Sequence, residues 1–416
     1  MRYLLALVFA GLPIIAGAAE WRFDSPVELT AKDTAAHFHH HDGAGRRHVA
    51  AGEQEVAVVW EDDHSGMPQV YMAVLAYGAD APAARYRLSL GDEAYEPAVV
   101  AAGDGRWVAA WEQDGTVVAR FIDGDGPGPV TPLVEKGARQ VTLARDGAGR
   151  LAAAWAKSTP VGQLLEATLL RVEGRRIVLA DAPTRVAPLQ AHAYQAYPAA
   201  TWAPGGRLVV AWEDRRAGHT RLYYSSRDPG GAFAPARQLN EHNAPPPDAG
   251  ETLALGSGVM RVMLATDTAG RLQAIWLDKR NPSSGYAVWG ASSTDGGKSF
   301  GVNTIVQDEL GAAVPQWHAA LAGGPGGFVA VWDDTRESWG DETEPGDVIL
   351  STRVDGAWSP DLVVPVASGE GYQGSPAAAL GDDGSLHLVW IEKADLSAPS
   401  RLFYASGLPA TEEALR

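Results

Sequence analysis

Gly206-Arg207-Leu208-Val209-Val210-Ala211-Trp212-Glu213-Asp214-Arg215-Arg216 carries the pattern that decides the fold. An apolar run closes on a Trp, a Gly stands six residues before it, and an Asp and an Arg follow. The Trp recurs in register as Trp60, Trp111, Trp155, Trp276, Trp332 and Trp390, so half of the 14 Trp fall in one column. The Gly recurs as Gly105, Gly149, Gly270, Gly326 and Gly384, and only the first unit departs, with Gln54. Another short β-type run precedes each turn, as at Pro97 to Ala102 and Pro376 to Leu380. Strand, tight Gly turn, strand is a hairpin in fixed register. The Gly supplies the positive φ that such a turn needs.

Outward from this hairpin each unit has a polar loop and a third strand, such as Gln69 to Leu75, Arg221 to Ser226 or Asp347 to Arg353. Most units add a fourth, such as Arg85 to Leu90, Ala234 to Leu239 or Pro360 to Val364. Seven such units, each roughly 45 to 65 residues long, predict an all-β, seven-bladed β-propeller of four-stranded antiparallel blades, since solenoid repeats are shorter. The last unit lacks a fourth strand. Trp21-Arg22-Phe23-Asp24-Ser25-Pro26-Val27-Glu28-Leu29 resembles Trp358-Ser359-Pro360-Asp361-Leu362-Val363. The N-terminal strand is therefore expected to complete blade seven and close the ring, protecting sheet edges that would otherwise be exposed.

Composition narrows the function classes. Apolar residues at 46% and charged residues at 20% exclude a disordered chain, and 47 Gly with 27 Pro without a three-residue period suit a turn-rich β protein. No Cys is present, which removes disulfides, thiolate zinc sites and Cys nucleophiles. The net charge of −17 argues against a nucleic-acid partner. At the N-terminus Arg2, the apolar Tyr3 to Ile15 and the small residues Ala16 to Ala19 read as a signal peptide over residues 1–19. That apolar run is too short to span a membrane, and no later one is long enough. The expectation is a single exported propeller over residues 20–416, periplasmic or secreted.

Ser293-Thr294-Asp295-Gly296-Gly297-Lys298-Ser299-Phe300 resembles the Asp-box of sialidase-like, BNR-repeat propellers, and Ser226-Arg227-Asp228-Pro229-Gly230-Gly231-Ala232-Phe233 is a second copy. Both lie between strands three and four, where that family carries the box. The role of Asp228 and Asp295 is then structural, a side chain closing a turn. A second repeated motif, Trp-x-Asp-x-Arg, appears at Trp212, Trp276 and Trp332, with a variant at Trp60. Its repetition points to structural ion pairs or turn hydrogen bonds rather than to a ligand site.

Residues that break the repeat are better site candidates, above all those where the innermost strands begin at the channel mouth. They include His39-His40-His41-Asp42, Tyr95-Glu96, Arg139-Gln140, His192 with Tyr194 and Tyr197, Met260-Arg261, Trp317-His318 and Tyr372-Gln373. Aromatic and cationic groups of this kind suit a glycan, an acidic sugar or a peptide, with plugging of the channel as the alternative role for any one of them. Tyr95, Arg139, Tyr197, Arg261, Trp317 and His318 are the candidate ligand-binding residues. Sialidases use three Arg to hold a carboxylate and a Tyr activated by a Glu as nucleophile. The resemblance places Tyr372 as that Tyr, Glu251 as its partner and Arg139 and Arg261 as carboxylate ligands. It leaves the early Arg-Ile-Pro segment unmatched, since Tyr95-Glu96-Pro97 stands there. His37-Phe38-His39-His40-His41-Asp42 suggests a transition-metal site in which His39 and His41 share one face of an extended segment. The leading expectation is a non-catalytic module binding a glycan, a peptide or an exported partner protein at the channel face. The alternatives are an exo-sialidase-type hydrolase and a His-ligated metal protein.

Overall fold

The computed structural model describes residues 21–29, 38–41, 44–188, 194–216, 219–241, 258–280, 285–309, 311–336, 346–395 and 397–410. Seven antiparallel sheets of four or five strands form a seven-bladed β-propeller. The sheet of blade two is typical. Its inner strand Ala94–Gly103 pairs with Arg106–Gln113, which pairs with Thr116–Asp123, which carries the outer strands. The turn Gly of the column is left-handed in every unit that has it, from φ 66° at Gly105 to φ 83° at Gly384. In blade seven the inner strand is Tyr372–Leu380, and the outer positions are filled from the other end of the chain. Trp21–Phe23 and Val27–Glu28 both pair with Arg401–Pro409, so the N-terminal segment closes the ring as expected. Among the described residues no helix is long and apolar enough to cross a membrane.

The Trp column has one physical cause. The buried apolar residues separate into seven clusters, and each spans two adjacent blades. Each cluster holds one column Trp, on the blade that follows the interface: Trp60 lies between blades seven and one, Trp111 between one and two, and so on round to Trp390. A blade is a single sheet and cannot enclose a core alone, so it buries its large aromatic against its neighbour. The Trp-x-Asp-x-Arg motif supports that aromatic. Trp212, Trp276 and Trp332 donate Nε1–H to Asp214, Asp278 and Asp334 at 3.2, 3.1 and 3.0 Å. The same buried carboxylates accept from Arg216, Arg280 and Arg336. This is the structural ion pairing expected of the repeat.

The turn at Asp295 is held by a side-chain clamp. Asp295 accepts the backbone N–H of Lys298 and Ser299 at 2.9 and 3.0 Å and the hydroxyls of Ser293 and Ser299. Against the upward push of slight burial, the bonds from Ser299, Ser293 and Lys298 bring its carboxyl down to about 2. Asp228 behaves differently, pairing with Arg207 at 2.7 Å.

Candidate functional site

Six of the seven inner strands begin with a bulge. The register slips between Tyr95 and Ala98, Arg139 and Thr142, Ala196 and Ala199, Met260 and Met263, Trp317 and Ala320, and Gly374 and Ala377. At each slip one non-Gly residue takes a left-handed φ of 47° to 58°: Glu96, Gln140, Tyr197, Arg261, His318 and Ser375. Such backbone is costly for these residue types and bulges commonly re-aim side chains beside functional sites. The bulges therefore bring the candidates Tyr95, Arg139, Tyr197, Arg261, Trp317 and His318 to one face of the ring, the mouth where the inner strands start.

What supports the bulges is the residue after the column Trp. Glu61 Oε2 accepts the backbone N–H of Glu96 at 3.0 Å, Glu112 Oε1 that of Gln140 at 2.6 Å, Glu213 Oε1 that of Arg261 at 2.8 Å, and Asp333 Oδ1 that of Ser375 at 3.1 Å. Blade three has Ala156 at this position, and the Gln140 side chain accepts from Tyr197 N–H instead, at 3.0 Å. Each acid thus ties one blade to the backbone of the next. The sequence reading missed this column. Its signal was the acid directly after Trp60, Trp111, Trp212 and Trp332, obscured by Ala156, Leu277 and Ile391 in the other units.

Three of these acids also give the mouth its electrostatics. Burial pushes Glu213 up to about 7. Burial and a hydrogen bond with Glu96 push Glu112 up to about 8. Burial likewise raises Glu61. Beside them Arg46, itself buried, donates to Glu96. Between blades one, two and three, Glu61, Glu96 and Glu112 line a pocket of about 440 Å³ with Phe38, Tyr95, Arg139 and Gln140. Tyr95 donates to Glu93 at 2.6 Å, and that bond holds its hydroxyl up at about 12. Arg139 donates Nε–H to Gln163 at 2.9 Å.

The other candidates fall outside this pocket. Tyr372 donates to Asp333 at 3.4 Å, and His318 Nδ1 lies 2.7 Å from the same carboxylate. Glu251, expected as the partner of Tyr372, lies outside the described residues, as do His37 and His192. Trp317 is 39% exposed and sits edge-on to Tyr286. Arg261 and Tyr372 do not line the pocket that holds Arg139. His39 and His41 do share a face, both buried, while His40 between them is exposed. His39 Nδ1 lies 3.0 Å from Ser400 Oγ, and His41 Nδ1 lies 3.3 Å from the Ser375 carbonyl. Among the described residues no three His, Asp or Glu are grouped to hold a metal.

Blade one departs from the repeat. Its inner strand is split into His39–His40 and Val49–Ala51, and the described part of the insert, residues 44–48, crosses the channel. Thr142 of blade three donates to the Gly45 carbonyl at 2.7 Å, and a Cβ on Gly45, at φ 73°, would lie 2.3 Å from the Pro198 carbonyl of blade four. Arg47 donates to the Leu264 carbonyl of blade five at 3.1 Å. The segment is a plug that touches blades three, four and five.

No family model matches this chain, and no curated protein matches its sequence. Similar folds occur among solved structures. An ulvan lyase of polysaccharide lyase family PL25, bound to -[GlcA(1-4)Rha3S]-, superposes with TM-score 0.59 and 9% identity over 89% of this chain and 94% of that one. The polysaccharide lyase Uly1 superposes with TM-score 0.56 and 10% identity over 93% and 99%. The Hadza microbial sialidase Hz136 is a looser match, with TM-score 0.47 and 13% identity over 84% and 74%. At these identities the likeness is one of fold.

Proposed function

We propose that the chain is an exported propeller that binds a neutral glycan at the channel mouth, over the pocket between blades one and three. The observation that carries this reading is the make-up of that pocket: Phe38 and Tyr95 offer ring faces, Arg139 and Gln140 offer planar donors, and Glu61 and Glu96 offer acceptors. Sugars present apolar C–H faces and rings of hydroxyls, and a shallow concave site of aromatics with a few convergent polar groups meets both. The similar fold of polysaccharide lyases is in keeping with a saccharide at such a face.

Charge selects against acidic sugars here. Glu61, Glu96, Asp62 and Asp63 line the pocket against Arg139 and His40, so a uronate or sialate carboxylate would meet like charge.

Calorimetric titration with neutral and uronate-containing oligosaccharides tests the reading. Wild type should bind a neutral oligosaccharide, and Arg139→Ala and Tyr95→Ala should each weaken it about tenfold, equivalent to about 1.4 kcal/mol. Binding left intact in both variants, or a preference for uronates, overturns the assignment.

A further inference from the structure

The opposite mouth of the ring holds a second cavity. The inner strands end there, and their hairpin turns surround a funnel of about 610 Å³. Its walls are mostly small residues such as Ala101, Ala203, Ala322 and Gly323, which is why the space is open. The volume falls within the range of small-molecule sites, about 300 to 1,000 Å³. The plug closes its inner end and places Arg47 there.

Arg47 is in an unusual position for a cation. It is partly exposed and lines the funnel, and burial lowers the pKa of its guanidinium. Among the described residues its guanidinium makes one hydrogen bond, to the Leu264 carbonyl. No carboxylate of the described residues lies within ion-pair distance, although the molecule as a whole is strongly acidic. The acids nearest in the lining are already matched, Asp146 by Arg150 and Asp267 by Arg271, each at 2.6 Å. Asp382 is exposed at the rim. A guanidinium stays charged at any physiological pH, and a desolvated charge without a counter-ion is costly. Further donors lie in the same walls. Thr201 and Thr266 share one hydrogen bond at 2.9 Å, which leaves one hydroxyl proton of the pair to donate elsewhere. Arg145 lines the cavity as well.

We propose that this funnel is an anion site, in which the carboxylate or oxoanion group of a small molecule docks against Arg47 with the Thr201–Thr266 hydroxyls beside it. The planar fork of Arg fits such a group with two parallel hydrogen bonds. The site is separate from the glycan pocket: Arg47 lines the funnel, and Glu96, the partner of the adjacent Arg46, lines the pocket at the other mouth.

The test is calorimetric titration of the full mature chain with acetate, succinate and sulfate in dilute chloride buffer. At least one should bind saturably at one site per chain. Arg47→Met should weaken that binding at least tenfold and leave glycan binding at the other mouth unchanged. Equal anion affinity in wild type and Arg47→Met overturns the proposal. If Arg47→Met does not fold, wild type alone decides. The absence of saturable binding of all three anions up to tens of millimolar means that only water and chloride occupy the funnel, which refutes the site.

Discussion

Replacing Asp334 tests the claim that the repeated Trp-x-Asp-x-Arg motif is a brace. Asp334 is almost fully buried and serves several donors at once. Trp332 Nε1–H donates to it at 3.0 Å, Arg336 backbone N–H at 3.1 Å, and the Arg336 guanidinium at 2.6 to 3.0 Å. Arg336 also contacts Asp361 at 2.9 Å and Asp308 at 3.7 Å, so it retains counter-charge when Asp334 is lost. Asp334→Ala removes one partner of a buried ion pair and strands the indole N–H, and the expected loss is about 3 to 5 kcal/mol. Asp334→Asn keeps an oxygen for the indole and loses only the charged bond, at a cost of about 1.5 to 3 kcal/mol. Blade two is a natural control for the milder variant, because Trp111 there donates to the amide of Gln113 at 3.2 Å. Urea unfolding followed by tryptophan fluorescence reads both values. A loss below about 1 kcal/mol for Asp334→Ala, the range of exposed surface pairs, refutes the brace.

Three further outcomes follow from ring closure and from the buried acids. Leu29, which is 1% exposed in the cluster between blades seven and one, should cost about 2 to 5 kcal/mol when changed to Ala, and removing residues 20 to 31 should sharply lower the melting temperature. An unchanged melting temperature in the truncated chain would show that the closing strand contributes no stability. Glu213 is held at about 7, above its unfolded value, so its fold-stabilising protonated form is fully present below about 4.5. That contribution is lost as pH rises through 7. Glu213→Gln keeps an acceptor for Arg261 N–H, and its stability should fall less than that of wild type between pH 5 and pH 8. Parallel pH curves for the two proteins would contradict the assignment.

Much of this architecture was legible because it is set by local rules repeated seven times. Trp212 and its equivalents mark an interface that every blade must make, Gly206 and its equivalents mark a turn that needs a positive φ, and Trp21 to Leu29 carries the pattern the last unit lacks. The site was less legible because its chemistry depends on contacts without a local signature. Arg46 and Arg47 lie in a polar stretch with no motif to single them out. They are interior because Glu96 and Leu264, 50 and 217 positions away, receive them. Glu61, Glu112 and Glu213 look like solvated acids at strand ends, yet each is bonded to backbone in the next blade. His39 and His41 were expected on one face and are, but they contact Ser400 and the Ser375 carbonyl.

The plug makes the ring a braced wheel rather than a hollow one. Residues 44–48 leave blade one and meet blades three, four and five directly, through the Gly45 carbonyl, the close approach of Gly45 to Pro198 and the Arg47 bond to Leu264. One short segment thus ties together blades that are not neighbours round the ring. In a propeller with an open shaft each blade is held only by the two beside it.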